Sequence, residues 1–130
     1  MLVTNMNIET IREYCLAKNG AIEDYPFDEE TLVFKVGGKM FALIPLEKFP
    51  LQINLKCNPE KAIELREEYD CVQPGWHMSK KHWNTVILEG NIRWGDLRDW
   101  IDHSYDEVVK GLKKSERDTT LKINFNKKLQ

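Results

Sequence analysis

Residues 31–46, TLVFKVGGKMFALIPL, restrict the fold more than any other part of the chain. Two runs rich in β-branched and aromatic residues flank Gly37-Gly38, and a glycine pair takes the positive φ angles of a two-residue hairpin turn at no steric cost. A chain carrying this pattern builds an antiparallel sheet. With an unbroken ladder, Leu32, Phe34, Val36, Phe41 and Leu43 share one face, the core face, while Lys35 points to the other and Lys39 sits beside the turn. The following LQINLKC alternates, with Leu51, Ile53, Leu55 and Cys57 inward and Gln52, Asn54 and Lys56 outward, as in a strand with one wet face.

Helix signals surround these strands. Asn7 is placed to cap IETIREYCLAK, which puts Ile8, Ile11 and Cys15 on one side, and Asn19-Gly20 ends it. EDYPFDEE reads as acidic turn. Asn58, with Pro59 at the first helical position, opens a second helix whose apolar stripe is Ala62, Ile63, Leu65 and Tyr69. CVQPGWHMSKKHWNTVIL reads as a second hairpin with MSKK as its turn. Leu97, Ile101, Tyr105, Val108 and Leu112 mark a long final helix. The order α-β-β-β-α-β-β-α predicts a two-layer α+β domain, an antiparallel sheet of about five strands with helices packed on one side. Residues 1–112 form that single domain. Residues 113–130 are a polar tail, either free in solution or contributing one edge strand around LKINF.

At 130 residues a chain buries enough surface to fold without disulfides or metal. Cys15, Cys57 and Cys71 are odd in number and form no CxxC pair, which fits a reduced, cytoplasmic protein. No stretch approaches a membrane span and the N-terminus lacks a secretory pattern. A net charge of −2 argues against coating nucleic acid by bulk electrostatics. The charge is uneven, however: residues 1–71 hold 8 Lys+Arg against 13 Asp+Glu, and residues 72–130 hold 11 against 8. Such asymmetry permits a local anion-binding face in the second half.

PGWHMSKKHWN, residues 74–84, concentrates the candidate chemistry. A four-residue MSKK turn sets His77 opposite His82, but two imidazoles fall short of a zinc site and no third ligand is indicated by spacing. Ser79 and Ser104 lie outside any nucleophile-elbow motif, no phosphate-cradling glycine loop exists, and the acid pairs Glu29-Glu30 and Glu67-Glu68 read as solvated faces. No catalytic residue, metal or cofactor is expected. The remaining pattern is cationic. Lys35 and Lys39 flank one hairpin turn, Lys80 and Lys81 occupy the other, His82 follows, and Lys56 lies on the outward strand face. Lysines at hairpin tips meet backbone phosphates, and they also keep sheet edges soluble. Trp76, His77, Trp83 and Asn84 are the anchors that hold the second hairpin to the body.

YPF at 25–27, VFKVGGKMFAL at 33–43, NLKCNPEKAIELRE at 54–67, PGWHMSKKHWNTV at 74–86 and DHSYDEVVKGL at 102–112 occur in an order that resembles the MmcQ/YjbR-like family of small bacterial proteins. The resemblance spans roughly residues 8–112. It implies an α+β domain of frataxin- and secretion-chaperone-like shape with a "double wing" of hairpins that meets DNA. Position by position, it implies contacts from Lys35 and Lys39 on one wing and Lys80, Lys81 and His82 on the other. Ser79 stands where relatives often have asparagine, and Trp76 where they have tyrosine. The expectation is a non-enzymatic DNA-binding protein whose oligomeric state the sequence leaves open, a monomer being favoured over an assembly. The alternatives are a chaperone-like module that binds a protein or peptide partner, and a small-ligand or metal-binding protein centred on His77 and His82.

Overall fold

A computed structural model describes residues 7–75, 78–89 and 92–116. Helix α1 (Ile8–Leu16) leads into strands β1 (Ile22–Asp24), β2 (Thr31–Val36), β3 (Lys39–Pro45) and β4 (Gln52–Lys56). Helix α2 (Pro59–Glu68), strands β5 (Val72–Pro74) and β6 (Trp83–Ile87), and helix α3 (Trp94–Lys110) complete the order. The strands form one antiparallel sheet in the order β1-β2-β3-β4-β6-β5. The class is α+β, as expected, with six strands in place of about five. The extra strand is β1, drawn from the stretch read as acidic turn: Glu23 pairs with Phe34 and its carboxylate holds Arg12 of α1. The helix caps follow the sequence signals, with Asn7 Oδ1 accepting from Thr10 N and Asn58 Oδ1 from Glu60 N and Lys61 N.

The glycine turn forms with φ +59° at Gly37 and +79° at Gly38. The ladder beyond it is not regular. Between Phe34 and Lys35 the register shifts: Lys35 faces Met40, yet Phe34 faces Ala42. Phe41 is the extra residue of a β-bulge, and both Phe41 and Ala42 are buried in the main core. One inserted residue moves everything beyond it to the opposite face. Ile44 therefore takes the core position expected for Leu43, and Leu43 turns to the other side to meet Val33.

The main core lies between the sheet and all three helices. Ile11 and Cys15 of α1 and Leu97, Trp100, Ile101 and Val108 of α3, with Leu65 of α2 packed alongside, cluster with Leu32, Phe34, Val36, Ile44, Ile53 and Leu55. Ile63, placed by its spacing in the α2 stripe, is 54% exposed, because α2 offers the sheet a narrower face than four apolar residues suggest. Ser104 Oγ links the layers: it accepts from Lys56 N at 2.8 Å and donates to Phe41 O. Asp102 accepts from Tyr14 and Lys18, and Tyr105 donates to Asn19 O.

The opposite sheet face carries a second, smaller cluster of Val33, Leu43 and Trp83, flanked by Met40 and Met78. Around it lie polar side chains of the same face, including Gln52, Asn54, Gln73 and Thr85, with Thr85 Oγ1 donating to Asn54 Oδ1.

Candidate nucleic-acid interface

The second hairpin departs from a four-residue turn. That turn requires Pro74 opposite Thr85; the observed register sets Pro74 opposite Asn84 and Gln73 opposite Thr85. Gly75 N donates to Trp83 O at 2.9 Å, and a Cβ on Gly75 would lie 2.8 Å from Trp83 Cβ. Absence of that carbon lets the two backbones close one residue early, leaving a longer connection. The connection folds back, with Met78 packed on the Val33–Leu43–Trp83 cluster and His82 N donating to Ser79 O. Trp76 and His77 lie outside the described residues, as does most of the tail. The His77–His82 pairing therefore rests on the sequence alone, and among the described residues no group of three or more His, Cys, Asp or Glu could hold a metal ion.

A residue without any sequence signal organises this connection. Arg66 of α2 donates through Nε to Asn84 Oδ1 at 2.6 Å and through Nη2 to the carbonyls of Lys80 and Trp83. The Asn84 amide nitrogen in turn donates to Ala62 O at 3.3 Å. Asn84 is 2% exposed and Trp83 9%, so both side chains belong to the protein interior rather than to a base-stacking surface.

The register brings both turns to one end of the sheet. Lys39 opens β3, Lys56 closes β4 across from Trp83, and Cys57 N donates to His82 O. Three strand spacings separate the centre of the β2–β3 hairpin from that of the β6–β5 pair, so the tips stand roughly 14 Å apart. Lys39, Lys81 and His82 are exposed and Lys56 is half-buried. Lys80 Nζ donates to Gly75 O at 3.1 Å, within its own connection. Lys35 reaches the same face but is neutralised by Asp24 at 3.0 Å.

Other elements add cations to this end that sequence reading passed over. The end of α3 arrives here, since Leu112 packs against Gly37, and Lys110, Lys113 and Lys114 come with it. Lys61 stands in the first turn of α2. The carboxylates present are Glu60, Asp106, Glu107 and Glu116, and Glu107 lies 3.8 Å from Lys110. His103 reports the local field: burial, then the positive charge of Lys61, lowers its pKa below 6.5. Its Nε2 accepts from Asn58 N at 3.1 Å. Charge patterning along a chain does not reveal such a grouping, because these lysines are separated by strands and meet only through the β4–β6 and α3–β2 packing.

The far end of the sheet is acidic. Asp28, Glu29, Glu30 and Glu47 occupy adjoining loops, joined by Leu46 N donating to Glu30 O at 2.7 Å. The Glu30 carboxyl is held above its usual range by a hydrogen bond shared with Glu47, and further by partial desolvation and by the charges of Glu47 and Asp28. No helix among the described residues is long and apolar enough to cross a membrane.

The family model described as YjbR matches residues 16–107. The chain is 41% identical over 93 residues to the YbdF protein of Escherichia coli O157:H7, covering 72% of this chain and 76% of that protein. It is 32% identical over 112 residues to YjbR of Escherichia coli K12, covering 86% and 95%. Among solved structures it resembles the Deinococcus radiodurans protein DR2400, with a DUF419 domain, at a TM-score of 0.81 and 38% identity over 88% of this chain and 87% of that one. A Pseudomonas syringae protein superposes at a TM-score of 0.67 with 28% identity, covering 78% and 98%. With its family model spanning most of the chain and its fold shared with these relatives, this protein belongs to the YjbR family.

Proposed function

We propose that the chain is a non-enzymatic, cytoplasmic DNA-binding protein that meets the duplex with the end of the sheet carrying both hairpin tips. The observation that carries this reading is the gathering of Lys39, Lys56, Lys81, His82, Lys61 and the lysines after α3 at one end, while carboxylates dominate the other. A molecule of net charge −2 thus presents phosphate with a cationic surface and turns its repulsive surface away. Tips about 14 Å apart are comparable with the major-groove width of about 12 Å, so each tip can lie on the phosphates of a different strand. With Trp83 and Asn84 committed to the interior, the contact is mainly to the backbone and weakly selective for sequence.

Duplex affinity measured as a function of salt tests this. Each lysine that neutralises a phosphate contributes about 0.9 to the log–log salt slope. Lys39→Ala with Lys81→Ala should reduce the slope by nearly 2, whereas Lys35→Ala, which removes a cation already paired with Asp24, should leave it nearly unchanged. No duplex binding at low salt, or an unaltered slope in the double variant, would overturn the reading.

A further inference from the structure

The open sheet face holds a groove that the DNA reading does not use. Its cavity volume is about 520 Å³, within the roughly 300–1,000 Å³ of small-molecule sites. Phe27, Leu43, Pro45 and Met78 supply apolar walls, and Gln52 and Asn54 of β4 offer side-chain amides. Phe27 is 63% exposed, so much of its ring is available to an occupant. Asn54 is the informative member. Only 8% of it is exposed, and its Oδ1 accepts from Thr85 Oγ1. Its amide nitrogen donates to none of the described residues. Among those residues no side-chain nitrogen or oxygen is both fully enclosed and without a partner, so this nitrogen opens into the groove that Asn54 lines. A donor fixed by burial, with its own oxygen already engaged, needs little further ordering when an acceptor reaches it.

Charge limits the class of occupant. The groove opens on one side toward Asp28, Glu30 and Glu47, and Lys48 lines the groove and both its extensions. One ammonium against three carboxylates leaves a rim that repels phosphate, while the ammonium among them disfavours a compact cation. A neutral molecule meets neither penalty. The walls suit a flat ring, with the Phe27 face for stacking and the Met78 thioether for a sulfur–ring contact. Between them Asn54 Nδ2 requires an acceptor, and the Gln52 amide both donates and accepts. A nucleobase edge presents acceptors and donors side by side, and asparagine and glutamine amides match such an edge. Sugar hydroxyls, in turn, donate to carboxylates. We infer that the groove binds a neutral nucleoside, its base between the apolar walls with one edge on Asn54 and Gln52, and its sugar toward Asp28 and Glu30. This site lies on the sheet face, uses no lysine of the hairpin tips, and does not depend on the DNA reading.

Titration of the full-length protein with adenosine, guanosine, cytidine and uridine, followed by methyl NMR, tests this. Expected is saturable movement of the Leu43 and Met78 methyl resonances by at least one of them, with a Kd on the order of 0.1 mM. Because the ligand is neutral, that Kd should not change with salt. Phe27→Ala, at an exposed position, should weaken binding at least roughly fivefold by removing the stacking face. Asn54→Asp keeps the acceptor for Thr85 Oγ1 but removes the donor, and should weaken binding at least roughly tenfold. Lys39→Ala with Lys81→Ala, the variant that tests duplex binding, should leave nucleoside binding unchanged, so the two readings fail separately. No saturable movement with any of the nucleosides, or undiminished binding by folded Phe27→Ala or Asn54→Asp protein, overturns the proposal. Indole bound as tightly as the best nucleoside also overturns it, since the groove would then take any apolar ring. Binding of the corresponding monophosphates alone overturns it as well, because recognition would then rest on phosphate.

Discussion

At the residue scale, single atoms decide several features. Gly37 combines φ +59° with Leu112 Cδ1 only 2.7 Å from where a Cβ would stand, whereas Gly38 at φ +79° has nothing within 4 Å. Gly37→Ala should cost roughly 2 kcal/mol and Gly38→Ala roughly 1, because both bear left-handed strain but only the first displaces the Leu112 side chain. Chemical denaturation of both variants measures the difference. His103 supplies a pH dependence. Its imidazole pKa is lowered in the folded state, so its contribution to stability is complete above pH 6.5 and is lost as pH falls through the folded value. Denaturation series at successive pH values should show wild-type losing stability on acidification. His103→Gln, whose amide oxygen can replace Nε2 as acceptor for Asn58 N, should follow a flatter course, while His103→Phe should lose about 1 kcal/mol at neutral pH.

At the scale of elements, the two hairpins differ in what shapes them. In the first, the glycine pair forms the expected turn, but the ladder shifts within two residues because Phe41 and Ala42 both enter the helix-side core. In the second, the turn type follows from contacts across the fold: Gly75 against Trp83, and Arg66 bound to the carbonyls of Lys80 and Trp83. Arg66→Met should destabilise the protein by about 1–3 kcal/mol, since Asn84 Oδ1 would be buried without that donor. It should also speed amide exchange through residues 78–82 while leaving β2 and β3 protected, and uniform protection across the connection would count against the positioning role. Strands β2, β3 and β4 and all three helices were legible in residue pattern and caps. Strand β1 was not, because its three residues Ile-Glu-Asp lack an apolar alternation and are ordered by pairing with β2 and by Arg12.

At the scale of the whole molecule, the antiparallel ladder sorts charge. Both turns and the end of α3 share one pole, and the loops after β1 and β3 share the other. The two poles give a test at this scale: Lys39→Ala with Lys81→Ala should weaken duplex binding, whereas Glu30→Lys with Glu47→Lys, at the pole away from the tips, should not lower duplex affinity.

Residue pattern by itself determined the α+β class, the capped helices and the glycine turn, because periodicity, capping and backbone freedom are local properties. It also placed Lys39, Lys80, Lys81 and His82 at turns. Only the tertiary structure decided that Leu43 faces away from the helices, that Lys35 is neutralised, that Arg66 shapes the second connection, and that lysines from α2 and α3 join the hairpin tips. Those outcomes depend on a one-residue bulge and on contacts between segments dozens of positions apart, which the order of residues does not carry.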